Sequence, residues 1–129
     1  MIHSILARVK NDKPDLKSIY GGTTLQHINY NDLYISFRPI LFRGEYSIMF
    51  HTIEANIPGK KAWTNFWNSC LKNKQAIHNA GVKYILIDCI LDFRFEKHIA
   101  KTWELIKAGE LWDLSTYYST YCFKIEVEE

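Results

Sequence analysis

Three side chains in this sequence have the chemistry of catalytic residues: His51, Asp88 and Cys122. His51 lies near the end of a predicted strand, with Glu54 close behind it, and Asp88 interrupts an otherwise apolar run. A carboxylate within a buried strand marks a functional site in some proteins, and in more of them it belongs to a structural hydrogen-bond network. These residues define one hypothesis: a small enzyme whose site is assembled from scattered His, Asp and Cys side chains.

No motif for a metal, a cofactor or a nucleotide accompanies these residues. Residues 51–54 differ from the HxE motif of zinc deaminases because their spacing is one residue too long. The three cysteines form no CxxC pair, so no structural zinc site is expected. Gly21 and Gly22 lack the strand–turn–helix context of a phosphate-binding loop, and we interpret them as a turn. The sequence therefore predicts no metal and no cofactor.

Aromatic residues make up 15% of the chain and favour a different function. Tyr and Trp are enriched at protein interfaces, where a few anchors carry most of the binding energy. The candidate anchors are Tyr30, Tyr34, Trp112 and Tyr118, and the candidate charged rim for a basic partner is Asp15, Asp32 and Asp113. A partly buried fringe of the core is the alternative interpretation of these aromatics. The leading hypothesis is a small non-enzymatic protein-binding domain, such as an inhibitor or an immunity protein that neutralises a toxin or enzyme by direct complex formation.

The charge balance and the hydropathy exclude several other classes. The 129 residues include 16 Lys+Arg and 14 Asp+Glu, a net charge of +2, which gives little support for nucleic-acid binding. A basic helix face makes nucleic acid a second alternative, but a solvated lysine face is the preferred interpretation. That face consists of Lys60, Lys61, Lys72 and Lys74. No apolar run is long enough for a membrane span and no signal-peptide pattern is visible, so we expect a cytoplasmic protein.

Periodicity predicts five strands and two helices. The strands are predicted over residues 2–9, 33–42, 45–55, 83–91 and 117–127. One helix is predicted from Pro58-Gly59 to Gly81, because Trp63, Phe66 and Trp67 begin an apolar stripe of helical spacing. The second is predicted from a capping Asp92 to Gly109. Arg43-Gly44 is predicted to form a tight hairpin turn.

These elements predict a single α/β (α+β) domain over residues 1–129, in the order β-β-β-α-β-α-β. Residues 10–31 are expected to be a long loop-rich segment. We expect a two-layer sandwich, in which a mixed five-stranded sheet carries both helices on one face. The strand over 83–91 is apolar on both faces, so its second face needs a cover. The candidates are the 10–31 segment, a second copy of the chain, or a partner protein.

Overall fold

Four helices and six strands make up the part of the chain that the computed structural model describes. The described residues are 1–10, 12–14, 23–30, 32–55, 61–90, 92–106 and 119–127. The helices are α1 (Ile2–Val9), α2 (Ala62–Lys72), α3 (Lys74–Asn79) and α4 (Phe93–Ile99). The strands are β1 (Gln26–Tyr30), β2 (Leu33–Phe42), β3 (Glu45–Ala55), β4 (Tyr84–Ile90), β5 (Glu104–Leu105) and β6 (Ser119–Lys124).

The strands form one mixed sheet in the order β1-β2-β3-β4-β6-β5. Among the described pairs, β3 and β4 run parallel, and the other neighbours run antiparallel. The apolar strand β4 lies between β3 and β6, which agrees with the interior position that its composition predicts. The predicted fold class, a mixed α+β sheet packed against helices, is confirmed.

The hairpin between β2 and β3 turns at Arg43 and Gly44, as predicted. Their φ angles are +54° and +76°, the pair of positive values that a two-residue type I′ turn requires. This turn matches the twist of the flanking strands, so Phe42 pairs directly with Glu45. The turn thereby sets the register of the longest strand pair in the described sheet.

All four helices contribute to one apolar cluster on one face of the sheet, which gives the expected two layers. The centre of this cluster is aromatic. The ring centroids of Trp63 and Trp67 lie 5.8 Å apart in a stacked arrangement, and those of Trp67 and Trp103 lie 4.7 Å apart. Such rings bury large areas and add specific pair geometry, so this cluster anchors α2 and the segment after α4 to the sheet.

The second face of the sheet is covered within the single chain. Ile40, Met49 and Leu86 belong to a second apolar cluster on that face and are at most 1% exposed. The described end of the 10–31 segment lies beside β2, because the buried Thr23 hydroxyl donates to the Pro39 carbonyl oxygen at 2.7 Å. No partner is needed to bury this face, so partner binding has to be argued from other surfaces.

The N-terminal element differs from its prediction. Residues 2–9 form the helix α1, although their β-branched Ile and Val side chains favoured a strand. The buried side chains are Ile2, Ile5 and Val9, and this spacing follows one face of a helix. The tertiary environment overrides the weak strand propensity, because α1 packs this face into the helix-side core.

Three other secondary-structure elements also differ from the sequence prediction. The long helix predicted up to Gly81 is divided at Asn73, whose side-chain amide donates to the Ser69 carbonyl oxygen at 2.7 Å. The helix predicted up to Gly109 ends at Ile99, and the short strand β5 follows it. The first strand of the sheet is β1, inside the segment that was expected to be loop-rich.

Candidate functional site

The parallel strands β3 and β4 bring the two catalytic candidates together. Parallel strands have their carboxyl ends at the same edge of a sheet, which is where α/β proteins commonly bind ligands. His51 follows Phe50 on β3, and Asp88 follows Ile87 on β4, while Phe50 and Ile87 are register partners. The two polar residues therefore occupy matching positions, each one step beyond a paired core residue.

Both residues lie at irregular positions of their strands. The β2–β3 register shifts beside Ser36, so that His51 is the extra residue between Phe50 and Thr52. The β4–β6 register shifts after Ile87, and Asp88 falls within that irregularity. Bulges re-aim side chains and are over-represented next to active sites. Two bulges on adjacent strands thus turn His51 and Asp88 towards each other.

The His51 Nδ1 atom lies 3.1 Å from the Asp88 Oδ2 atom, and the two side chains are 15% and 11% exposed. The Thr120 hydroxyl on β6 donates to the other oxygen of the same carboxylate at 3.3 Å. Asp88 therefore joins three adjacent strands through its carboxylate. Low exposure strengthens such polar contacts and makes their loss costly.

A cleft of about 390 Å³ opens at this end of the sheet, and we refer to it as the acidic cleft. Its polar lining comes from Glu54, Asp88, Asp92 and His51, and its aromatic wall from Trp63 and Phe95. Among the described lining residues there is no Lys and no Arg. The cleft therefore combines carboxylates with aromatic rings, the two kinds of group that attract a cation.

The start of α4 forms one rim of the acidic cleft. Asp92 caps the helix as predicted, because its carboxylate accepts hydrogen bonds from the backbone N–H groups of Arg94 and Phe95 at 2.8 and 3.0 Å. Phe95 points into the cleft, whereas the neighbouring Phe93 is 77% exposed. Phe93 is the most exposed large apolar side chain among the described residues.

Of the predicted partner-binding residues, Asp32 and Tyr34 have described side chains. Asp32 lines a smaller cavity of about 260 Å³, which shares Leu33 with the acidic cleft. Tyr34 is half-buried, stacks on His27 at 6.2 Å and is the register partner of Glu54. Tyr30 has its backbone in β1, but its side chain lies outside the described part of the chain. Asp15, Trp112, Asp113 and Tyr118 lie outside the described residues.

The two described cysteine thiols lie apart from the acidic cleft. Cys122 is buried in the second-face cluster, and its thiol donates to a Glu104 carboxylate oxygen at 3.3 Å. Cys70 is buried on α2, and its thiol has a pKa of about 12. Burial raises this pKa and outweighs the N-terminal amino group and a backbone hydrogen bond, which both lower it. The structure thus joins His51 with Asp88, and it places Cys122 in a different environment.

The predicted basic face is only partly described. Lys61 and Lys72 are exposed at the two ends of α2, Lys74 is half-buried, and Lys60 lies outside the described residues.

Phe93 was not among the candidate residues. Phe95, Ile99 and Trp103 follow the four-residue spacing of one helix face, and Phe93 does not fall on that face. This spacing is the sequence signal that could have identified Phe93 as an outward-facing aromatic residue.

No family model, curated protein or solved structure matches the chain. Within the described residues, none of the helices has the length and apolar character that crossing a membrane requires. The function of this chain is therefore inferred from its own surfaces and contacts.

Proposed function

We propose that the protein is a small cytoplasmic protein-binding domain, of the inhibitor or immunity-protein class, that uses the acidic cleft and Phe93 to hold a basic partner protein. The observation that carries this proposal is the 77% exposed ring of Phe93, which follows Asp92 in the chain, a carboxylate that lines the acidic cleft. Large exposed aromatic rings are the residue type that most often anchors a protein interface.

The charges of the cleft favour a Lys or Arg side chain of the partner as its occupant. Glu54 is exposed at the mouth, Asp92 lies on the α4 rim, and Asp88 lies deeper. Trp63 and Phe95 offer ring surfaces against which a cationic group gains further attraction. The whole chain carries a net charge of +2, so the negative potential is local to this end of the sheet.

A quantitative capture experiment tests the proposal. Tagged wild-type protein, Phe93→Ser and Glu54→Lys are used as baits in lysate of the native cell, and Leu25→Ser serves as the control because Leu25 is also exposed, at 43%. A partner that binds the wild type is then purified, and its affinity for each variant is measured. We expect Phe93→Ser to weaken binding about thirtyfold, the effect of a typical anchor residue.

Charge reversal in Glu54→Lys should weaken binding of the same partner. The difference in affinity between this variant and the wild type should become smaller at high salt, because exposed charges are screened. Equal binding by the wild type and both cleft variants would reject the acidic cleft as the interface. Loss of binding in Leu25→Ser as well would place the interface elsewhere.

Acid–base catalysis is a second candidate function, favoured by the 3.1 Å contact between His51 and Asp88. A carboxylate that holds one ring nitrogen of a His orients the other one for proton transfer. In this structure the Nε2 atom of His51 is shielded from solvent, which favours the binding function. His51→Gln distinguishes the two proposals: an enzyme loses turnover of its substrate, whereas a binder retains its partner.

A further inference from the structure

A second cavity, of about 690 Å³, lies at the other end of β3 from the acidic cleft. Its walls come from α1, from the end of α3 and the turn after it, and from Leu41 and Tyr46 beside the β2–β3 turn. We refer to it as the α1–α3 groove. Cavities that bind small molecules commonly have volumes of about 300–1,000 Å³ and mostly apolar linings.

Small residues line part of the α1–α3 groove. Ala7 on α1 faces Ala76, Ala80 and Gly81 from α3 and its C-terminal turn. A Cβ atom placed on Gly81 would meet no heavy atom within 4 Å, so the space beside this turn is open. Larger side chains would fill this space with little disturbance to the core, because Ala7 and Ala80 are exposed.

The shape of the α1–α3 groove is held by a contact between a strand and a helix. The Tyr46 hydroxyl donates to the Val9 carbonyl oxygen at 2.8 Å, which ties the C-terminal end of α1 to β3. Val9 is buried, and Leu6 and Leu41 are half-buried beside it. The apolar floor is therefore preformed and is not closed by collapse of α1 onto the sheet.

The Lys and His side chains along the described α1–α3 groove face no carboxylate of the lining. His3, Lys10 and Lys13 line it, and the described lining residues include no Asp and no Glu. The nearby Asp12 carboxylate accepts a hydrogen bond from the Thr24 N–H at 3.0 Å and is not part of the lining. Lys10 and Lys13 are exposed, so their ammonium groups can approach an anion at the mouth of the groove.

We propose that the α1–α3 groove binds a small anionic amphiphile, of which a fatty-acid carboxylate is the simplest example. The aliphatic tail lies on the floor formed by Val9, Leu6 and Leu41 and between the alanines of α1 and α3, and the head group is held by Lys10 and Lys13. The apolar floor supplies affinity through buried area, and the lysines select a negative head group over a neutral or positive one. This site is separate from the acidic cleft and does not depend on its function.

Calorimetric titration with decanoate below its micelle-forming concentration tests the proposal on the full chain. The same chain length is presented with three head groups, as decanoate, decanol and decylammonium, and binding is located by amide chemical-shift changes. We expect saturable one-to-one binding of decanoate, shifts confined to α1, α3 and Tyr46, and affinity at least about fivefold weaker for the other two compounds.

Two kinds of variant separate the tail site from the head-group site. Ala80→Trp should abolish decanoate binding by filling the groove, and Ala7→Phe repeats this test from α1 in case one variant fails to fold. Lys10→Glu combined with Lys13→Glu should weaken decanoate about tenfold and should remove its advantage over decanol. Lys97→Glu combined with Lys101→Glu, in and just after α4, is the matched charge control and should leave binding unchanged.

Three results would overturn the proposal. One is equal binding of the three head groups, which would mean that charge plays no part. Another is decanoate binding that persists in both filled-groove variants. The third is the absence of saturable decanoate binding to the wild type.

Discussion

His51 and Asp88 are 37 residues apart in the chain, and their side chains meet at 3.1 Å at the carboxyl ends of the parallel strands β3 and β4. Each residue follows a core position that is in register with the other strand, and each lies at a bulge. The contact therefore depends on the parallel pairing and on both irregularities. It is a sensitive indicator of whether this end of the sheet is correctly formed.

We expect a double-mutant cycle of His51→Ala and Asp88→Ala to give a coupling free energy of about 1–3 kcal/mol. Both side chains are largely buried, so removal of one takes a polar contact away from the other where water does not fully replace it. The measurement is urea unfolding of the wild type, both single variants and the double variant. The exposed pair Lys124 and Glu126 is the control, for which we expect coupling near zero. Additive effects of His51→Ala and Asp88→Ala would contradict the contact.

The helix cap at Asp92 provides a second prediction. Asp92→Ala removes the acceptor of two backbone hydrogen bonds at the start of α4, and we expect it to lower the free energy of unfolding by about 1 kcal/mol. Asp92→Asn is the matched control, because Asn is an equally good cap and removes only the charge. Equal destabilisation by the two variants would mean that the charge of Asp92, and not its capping bonds, stabilises the helix.

The elements that local pattern determines were predicted correctly. β2 and β3 alternate around a Gly44 turn, and β4 is apolar except for Asp88, so their sequences favour one structure. The polar strand β1 and the two-residue β5 were missed because each is stabilised by pairing with a distant strand. The helix α1 was missed because the choice between helix and strand for residues 2–9 depends on the core into which they pack.

The candidate site was only partly accessible to sequence reasoning. His51 and Asp88 were selected by residue type, but their contact requires strand order and bulges, which are non-local properties. Cys122 was grouped with them on chemistry alone, and it lies instead beside Glu104. The need for a cover on the second sheet face was inferred correctly, but the chain supplies that cover itself.

Phe93 and Trp67 should respond very differently to truncation. Phe93 is 77% exposed, so we expect Phe93→Ala to change the free energy of unfolding by no more than about 0.5 kcal/mol. Trp67 is 9% exposed and packs against Trp63, Trp103 and Phe123, so Trp67→Ala should cost about 3–5 kcal/mol. Thermal or urea unfolding measures both. A large loss for Phe93→Ala would show that this ring supports the fold and would remove the basis for assigning it to an interface.

The buried thiol of Cys70 makes stability depend on alkaline pH. Burial raises its pKa from 9.0 to about 12 in the folded chain, whereas the unfolded chain exposes it to water. Between these two values the unfolded state has lost the proton and the folded state retains it. The stabilising contribution is therefore complete below about pH 9 and falls by about 1.4 kcal/mol for each pH unit up to about 12.

Comparison of the wild type with Cys70→Ala isolates this effect, because both chains share the contributions of Tyr46 and Tyr121, whose pKa values burial also raises. From pH 8 to pH 10, urea unfolding should show an additional loss of about 1.4 kcal/mol in the wild type relative to the variant. The variant is less stable at pH 8 because it leaves a small cavity, so the two curves converge as pH rises. Parallel curves would mean that the thiol ionises equally readily in both states, which is incompatible with its 1% exposure on α2.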